Sequence, residues 1–114
     1  MGIIDKEFLS LLGNYPFYSQ EKASDPLVVV KLFDIAGTAT WYLTEYDPET
    51  KTAFGYVTGL NTDEWGYVHL PELEELKHFG IPRIERDLYF VQKPIGELVS
   101  SFKKEEEPKP SSTI

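Results

Sequence analysis

The sequence predicts a single small α+β domain, in which an antiparallel sheet of about four or five strands is flanked by two or three short helices. Its 114 residues suffice for one domain, and a content of 41% hydrophobic and 26% charged residues is typical of a folded chain. Short β-branched and aromatic runs alternate with turn residues, which indicates hairpins. Residues 1–102 are assigned to the domain, and the charged, Pro- and Ser-rich residues 103–114 are predicted to form a disordered tail.

The first elements follow from local periodicity and from stop signals. Residues 5–12 place apolar side chains at helical spacing, and Gly13-Asn14 ends this amphipathic helix. Residues 15–18 form an aromatic connector, and residues 19–26 are polar and typical of a loop. The β-branched run 27–33 predicts a well-buried strand, because its apolar residues barely alternate with polar ones.

A hairpin is predicted at the centre of the chain. Residues 38–46 and 52–58 are its strands, and Asp-Pro-Glu-Thr-Lys at 47–51 is its turn. With Tyr46 placed opposite Thr52, one face becomes aromatic, whereas the other is apolar and also carries Glu45. The predicted aromatic face consists of Tyr42, Tyr46, Phe54 and Tyr56.

Two strands and two helices are predicted in the second half. Residues 65–70 form a strand, and Pro71 suits the first turn of a helix that runs to Phe79 and is capped by Gly80. Residues 84–91 are the last predicted strand. Residues 94–102 follow as a short helix with its apolar residues turned inward.

The net charge of -8 argues against several classes of function. Lys and Arg number 11 against 19 Asp and Glu, so direct nucleic-acid binding, which depends on clustered cations, is not expected. The absence of cysteine excludes thiolate nucleophiles and Cys-ligated metals. His69 and His78 match no metal-binding motif, so neither a metal nor a cofactor is predicted. No secretory signal or membrane span is recognised, which predicts a cytoplasmic protein without membrane contact.

Three carboxylates and one arginine are the candidate charged residues. Glu45 lies on the predicted core face, and Arg86 alternates with apolar residues in the last strand. Because a buried carboxylate needs a partner, a structural ion pair between Glu45 and Arg86 is predicted. The alternative is acid–base chemistry by Glu45 with Glu85 or Asp87 as the second carboxylate. No nucleophile elbow or phosphate-binding loop is present, so no catalytic residue is assigned and a non-enzymatic role is favoured.

Two surfaces are candidate binding sites. The aromatic hairpin face is either a protein-binding surface or a second small core beneath a terminal helix. A stacking platform for single-stranded nucleic acid would need a basic groove as well. The acidic segment 63–75 is either a solvated surface or an imitation of DNA phosphates. Its acidic residues are Asp63, Glu64, Glu72, Glu74 and Glu75.

Several short motifs occur in a recognisable order. They are Gly37-Thr38-Ala39-Thr40-Trp41-Tyr42, Glu45-Tyr46-Asp47-Pro48, Phe54-Gly55-Tyr56-Val57, Glu64-Trp65-Gly66-Tyr67 and Ile84-Glu85-Arg86-Asp87. Over roughly residues 9–99 this combination resembles a bacterial family named domain of unknown function 2958. The resemblance implies a compact α+β domain and a setting in plasmids, integrative elements or phages, and it implies no reaction.

Together these observations predict a non-catalytic protein-binding or accessory module of a mobile element. Its partner is expected to be a protein, and a basic protein fits the charge. A homodimer through the aromatic hairpin or an edge strand is a further option. The alternative is an acidic nucleic-acid mimic that antagonises a host defence protein or another nucleic-acid-handling protein. A small enzyme that uses Glu45, Glu85 and Asp87 ranks third.

Overall fold

The computed structural model describes residues 2–99, which fold into a five-stranded antiparallel sheet, two short two-stranded ribbons and three helices. In chain order the elements are α1 (Lys6–Leu12), β1 (Leu27–Val28), β2 (Val30–Asp34), β3 (Thr40–Asp47), β4 (Thr52–Thr58), β5 (Glu64–His69), α2 (Leu70–Glu74), β6 (Lys77–His78), β7 (Ile81–Pro82), β8 (Ile84–Arg86), β9 (Lys93–Pro94) and α3 (Ile95–Leu98). The main sheet has the order β5-β4-β3-β2-β8, which confirms the predicted fold class. No helix in this part of the chain is long and apolar enough to cross a membrane.

Helix α1 begins and ends close to the predicted residues. Asp5 is its N-cap and accepts a hydrogen bond from the Phe8 N–H at 2.8 Å, and the Gly13 N–H donates to the Leu9 carbonyl at 3.0 Å. Phe8 and Leu12 are fully buried. A helix of this length is held by the packing of its apolar face against the sheet rather than by intrinsic propensity.

The central hairpin β3–β4 has the predicted pairing at its open end and a different pairing near its turn. Tyr42 lies opposite Tyr56, as predicted. The register then shifts between Leu43 and Glu45, because Thr44 is an extra residue in a β-bulge. From this point to the turn, the side chains of β3 occupy the opposite faces from those that an unbroken ladder would give them.

Tyr46 shows the consequence of the bulge. Its side chain is 1% exposed and lies edge-on against the Phe8 ring, with 5.1 Å between the ring centroids. Burial raises the pKa of the Tyr46 hydroxyl, and the neighbouring Asp47 and Glu74 charges act in the same direction. The prediction that Tyr46 shares the aromatic face is therefore wrong.

Two apolar cores lie on opposite faces of the sheet. The larger one is covered by α1, and its fully buried members include Phe8, Leu12, Leu32, Leu43, Ala53 and Leu70. The smaller one lies beneath α3, where Val28, Ile95 and Val99 pack with Tyr56. Helix α3 thus covers part of the hairpin, which agrees with the alternative prediction that the aromatic hairpin face forms a second small core beneath a terminal helix.

Residues 70–82 differ most from the prediction. Helix α2 ends at Glu74 instead of Phe79, and the ribbon β6–β7 follows it. Phe79 and Gly80 form the tip of this ribbon with positive φ angles of 53° and 80°, a conformation that glycine adopts freely. Phe79 is 90% exposed, because the chain reverses before another helical turn forms.

The last elements are shorter than predicted. The strand expected at 84–91 ends at Arg86, and the helix expected at 94–102 is α3, which ends at Leu98. The remainder of that predicted helix beyond residue 99 and the predicted tail 103–114 lie outside the described residues.

Arg83 and Arg86, at the edge strand β8, bind acidic side chains of other parts of the fold. Arg83 Nε donates to Asp34 at 2.7 Å, and this bond holds the pKa of the Asp34 carboxyl below its ordinary value of 3.8. The hydrogen bond from the Phe8 N–H lowers the pKa of Asp5 in the same way, and Arg86 contributes to the shift.

These lowered pKa values predict acid sensitivity. Above pH 3.8, the ordinary pKa of these carboxyl groups, Asp5 and Asp34 contribute their full stabilisation. This contribution is lost as the pH falls from 3.8 through the lower pKa values that the two groups have in the folded protein. Chemical denaturation at decreasing pH should show the decline in the free energy of unfolding. Arg83→Gln is expected to make the decline shallower, and an unchanged pH profile in this variant would contradict the assignment.

Candidate functional site

A pocket of about 420 Å³ opens on the sheet face that carries Phe54. It lies where β4 and β5 meet the loop that connects α1 to β1. Glu45 and Thr44 contribute from the bulge of β3, and Gln20, Glu21 and Pro26 contribute from the loop. The aromatic lining residues are Tyr18, Phe54, Trp65 and Tyr67.

The rings form a continuous array across β4 and β5. Phe54 stacks on Trp65 with centroids 5.4 Å apart and planes 10° apart, and Tyr67 lies 5.0 Å from Phe54. Phe17 extends the array, with its ring 5.4 Å from Tyr67. The strand register explains these contacts, because Phe54 is paired with Tyr67 and is a diagonal neighbour of Trp65. Tyr18 and Tyr67 remain 67% and 61% exposed, so the array presents aromatic surface to a ligand.

Glu45 supplies a buried carboxylate to the pocket and is only 5% exposed. Its Oε1 accepts the Tyr18 N–H and its Oε2 accepts the Gln20 N–H, each at 2.9 Å. The bulge at Thr44 turns Glu45 to this face instead of the core face. Within residues 2–99, no Lys, Arg or His forms an ion pair with it. Neutral N–H groups are therefore the described partners of this charge.

The Gln20 side chain forms hydrogen bonds that join the same loop to the sheet. Its Nε2 donates to the carbonyls of Leu27 and Thr44 at 2.8 and 3.0 Å, and its Oε1 accepts the Leu27 N–H at 2.7 Å. The side-chain amide thus bonds to Leu27 as a neighbouring strand would, and it satisfies the carbonyl of the bulged residue. Glu45 and Gln20 together position the loop side of the pocket.

Strand β5 forms a sheet edge beside the pocket. The Leu70 N–H donates to the Lys51 carbonyl at 3.0 Å, which makes these residues a hydrogen-bonded pair. Because such pairs alternate along an antiparallel ladder, the backbone N–H and C=O groups of Tyr67 and His69 face away from β4. Among the described residues, β5 is the last strand on this side of the sheet. An edge of this kind is able to accept a further strand.

The four predicted aromatic-face residues lie in three environments. Phe54 lines the pocket, Tyr46 lies in the larger core, and Tyr42 and Tyr56 pack at the smaller core under α3. The other rings of the pocket come from β5 and from the loop after α1, which the prediction omits. For the two rings of β5, the sequence does contain a signal, the pattern Trp65-Gly66-Tyr67, since aromatic residues two apart on a strand share one face.

The predicted ion pair between Glu45 and Arg86 does not form. Arg86 instead binds Asp5 at 2.9 Å and Glu7 at 3.1 Å at the N-terminus of α1. It pairs in register with the core residue Leu32, so its predicted orientation is correct. Arg86 has partners other than Glu45 because the bulge places Glu45 on the pocket face, whereas Arg86 lies on the core face.

The three carboxylates proposed for acid–base chemistry are not brought together. Glu45 lines the pocket, Asp87 pairs with Lys31 at 3.9 Å, and Glu85 is exposed on β8 at the other edge of the sheet. The described part of the chain also holds no group of three or more His, Asp or Glu side chains suited to a metal ion. The geometry therefore offers no support for a site that uses these three residues.

The residues of the predicted acidic surface lie around the start of β5 and in or just after α2. The exposed ones are Asp63, Glu64, Glu72 and Glu75. Glu74 is half-buried, and its Oε2 accepts the Ile4 N–H at 3.0 Å, so it anchors the N-terminal segment. None of the five residues forms an ion pair with another residue in the range 2–99.

A family model described as "protein of unknown function (DUF2958)" matches residues 3–106, which is most of the chain. The matched segment contains every helix and strand described within residues 2–99 and the described residues that line the pocket. No curated protein and no solved structure matches the sequence.

Proposed function

Because this chain belongs to the DUF2958 family, whose description assigns no function, we propose a function from the geometry of the pocket. The domain is a non-catalytic binding module that holds an extended segment of a partner protein along β5, with a side chain of that segment in the pocket. The supporting observation is a pocket lined by four aromatic rings immediately beside the edge strand.

Two physical arguments support this mode of binding. Strand addition supplies affinity through main-chain hydrogen bonds, and a neighbouring pocket supplies specificity through alternate side chains. Aromatic residues lose little conformational entropy and contribute disproportionately to protein interfaces. The hydrogen bonds of Glu45 and Gln20 hold the loop side of the pocket in place, which lowers the cost of ordering it on binding.

We expect Tyr67→Ala to weaken partner binding strongly and Tyr89→Ala to preserve it. Both tyrosines are largely exposed, at 61% and 92%, but only Tyr67 lines the pocket. Loss of a central aromatic contact costs about 2 kcal/mol of binding free energy, or roughly thirtyfold in affinity. Affinity capture from the native host followed by mass spectrometry, with the wild type and both variants, measures this loss.

Equal melting temperatures of the three proteins control for folding in this experiment. Size-exclusion chromatography with light scattering distinguishes a second copy of the chain from a different partner. If Tyr67→Ala retains every protein that the wild type captures, the proposed binding mode is wrong.

The exposed acids favour a second candidate, an acidic nucleic-acid mimic that blocks a basic site on a nucleic-acid-handling protein. Its support is that Glu64 and Glu72 are exposed and are not neutralised by an ion pair within residues 2–99. In the same capture experiment, a Glu64→Gln/Glu72→Gln variant should release such a protein, whereas Tyr67→Ala should retain it. The mobile-element setting and the cytoplasmic location remain predictions.

A further inference from the structure

We infer that the side chain held by the pocket is cationic, a lysine or arginine from an extended basic segment of the partner protein. This inference rests on the proposed function, because both concern the same pocket. Its own support is the negative charge of the lining and the attraction of aromatic rings for cations, and the proposed binding mode requires neither property.

The lining of the pocket carries negative charge only. Glu45 and Glu21 contribute carboxylates, and no Lys, Arg or His is among the described lining residues. Each Glu45 oxygen accepts one backbone N–H and retains acceptor capacity for a ligand. A buried carboxylate without a counter-charge is costly, so a cation that enters the pocket supplies a missing partner.

The rings of the pocket favour the same occupant. Tyr18 and Tyr67 line the pocket and are 67% and 61% exposed, and the π-face of a tyrosine ring attracts a cation. A neutral apolar side chain would contact the rings equally well but would leave Glu45 without a counter-charge. An acidic side chain would be repelled by both carboxylates.

The geometry of the edge strand β5 indicates which positions of the partner segment would carry cationic side chains. Trp65 and Tyr67 point to the pocket face and Gly66 to the other face, so a strand added to β5 would present every second side chain to the pocket side. A segment with lysine or arginine at alternate positions fits this arrangement. The net charge of -8 would also accelerate encounter with such a segment.

Three capped peptides test the inference. One alternates valine and lysine, and in the other two glutamine or glutamate replaces every lysine. We expect the lysine peptide to bind about tenfold more tightly than the glutamine peptide, to weaken as salt is added, and to shift the Tyr67 amide resonance in NMR spectra. The glutamate peptide is expected not to bind.

Matched variants assign the preference to the pocket. Glu21→Gln, at an exposed lining position, should weaken binding of the lysine peptide about threefold and so reduce its advantage over the glutamine peptide. Glu85→Gln, at the opposite edge of the sheet, should change neither. Equal binding of the lysine and glutamine peptides, or no binding of the lysine peptide, would overturn the cationic preference. Failure of the proposed function is seen separately, as undiminished partner capture by Tyr67→Ala.

Discussion

Replacing Glu45 with alanine is expected to lower the free energy of unfolding by about 2–3 kcal/mol. The backbone N–H groups of Tyr18 and Gln20 would each lose a partly buried hydrogen bond to a charged acceptor, and such a bond contributes about 1.5–3 kcal/mol. Removal of a buried charge without a counter-ion offsets part of this cost. Chemical denaturation measures the change, and hydrogen exchange at these two amides shows whether it arises in the loop.

Glu49→Ala is the matched control, because Glu49 is exposed in the turn between β3 and β4. We expect its free energy of unfolding to stay within about 0.5 kcal/mol of the wild type. The free energy of unfolding of Glu45→Gln should lie between those of Glu45→Ala and Glu49→Ala, since the amide oxygen is still able to accept one N–H. If Glu45→Ala were as stable as the wild type, this carboxylate would not be what positions the loop.

The parts of the fold that the sequence predicts correctly depend on local signals. Helix α1 has an N-cap at Asp5 and a stop at Gly13, and its apolar spacing identifies the face that packs on the sheet. Strand β4 matches the predicted range 52–58, because the turn residues at 47–51 bound the hairpin. Each of these signals lies within a few residues of the element that it determines.

The errors at the site arise from a single extra residue. No local pattern distinguishes Thr44 as a bulge, yet the bulge exchanges the faces of Glu45 and Tyr46. The same bulge explains the wrong ion pair, since an unbroken ladder places Glu45 on the face on which Arg86 lies. The alternation of side chains along a strand predicts the face that each one occupies only while the ladder is unbroken.

The loop side of the pocket depends on contacts between distant parts of the chain. Gln20 bonds to Thr44, which is 24 residues away, and the Tyr18 N–H reaches Glu45 across 27 residues. A polar loop sequence gives no indication of such partners. The sequence predicts Phe54 on the aromatic hairpin face, whereas placing Trp65 and Tyr67 beside it requires knowledge that β5 pairs with β4.

These contacts link the stability of the domain to its proposed binding role. The bulge places Glu45 in the pocket, and Glu45 in turn holds the loop that carries Tyr18. A substitution that straightened the bulge would therefore remove a charge and displace a ring together. Binding and stability should be measured on the same variants, because a loss of binding indicates a direct contact only when stability is unchanged.

Gly55→Ala is expected to destabilise the protein by about 2–3 kcal/mol, while Gly66→Ala is neutral or stabilising by about 0.5–1 kcal/mol. The two glycines are direct partners across β4 and β5. A Cβ at Gly55 would collide with the carbonyl oxygen of Tyr42 and lie 2.9 Å from the Leu43 Cα, so the backbones of β3 and β4 would have to separate next to the bulge. A Cβ at Gly66 meets no atom within 4 Å.

Urea denaturation of both variants measures the difference. Because each variant adds the same methyl group to the same sheet, changes in glycine entropy and in strand propensity largely cancel between them. The remaining difference reports the close approach of β3 to β4 at the bulge. Equal stabilities of the two variants would mean that the ladder beside Thr44 relaxes at little cost, and the orientation of Glu45 toward the pocket would then not be held by this packing.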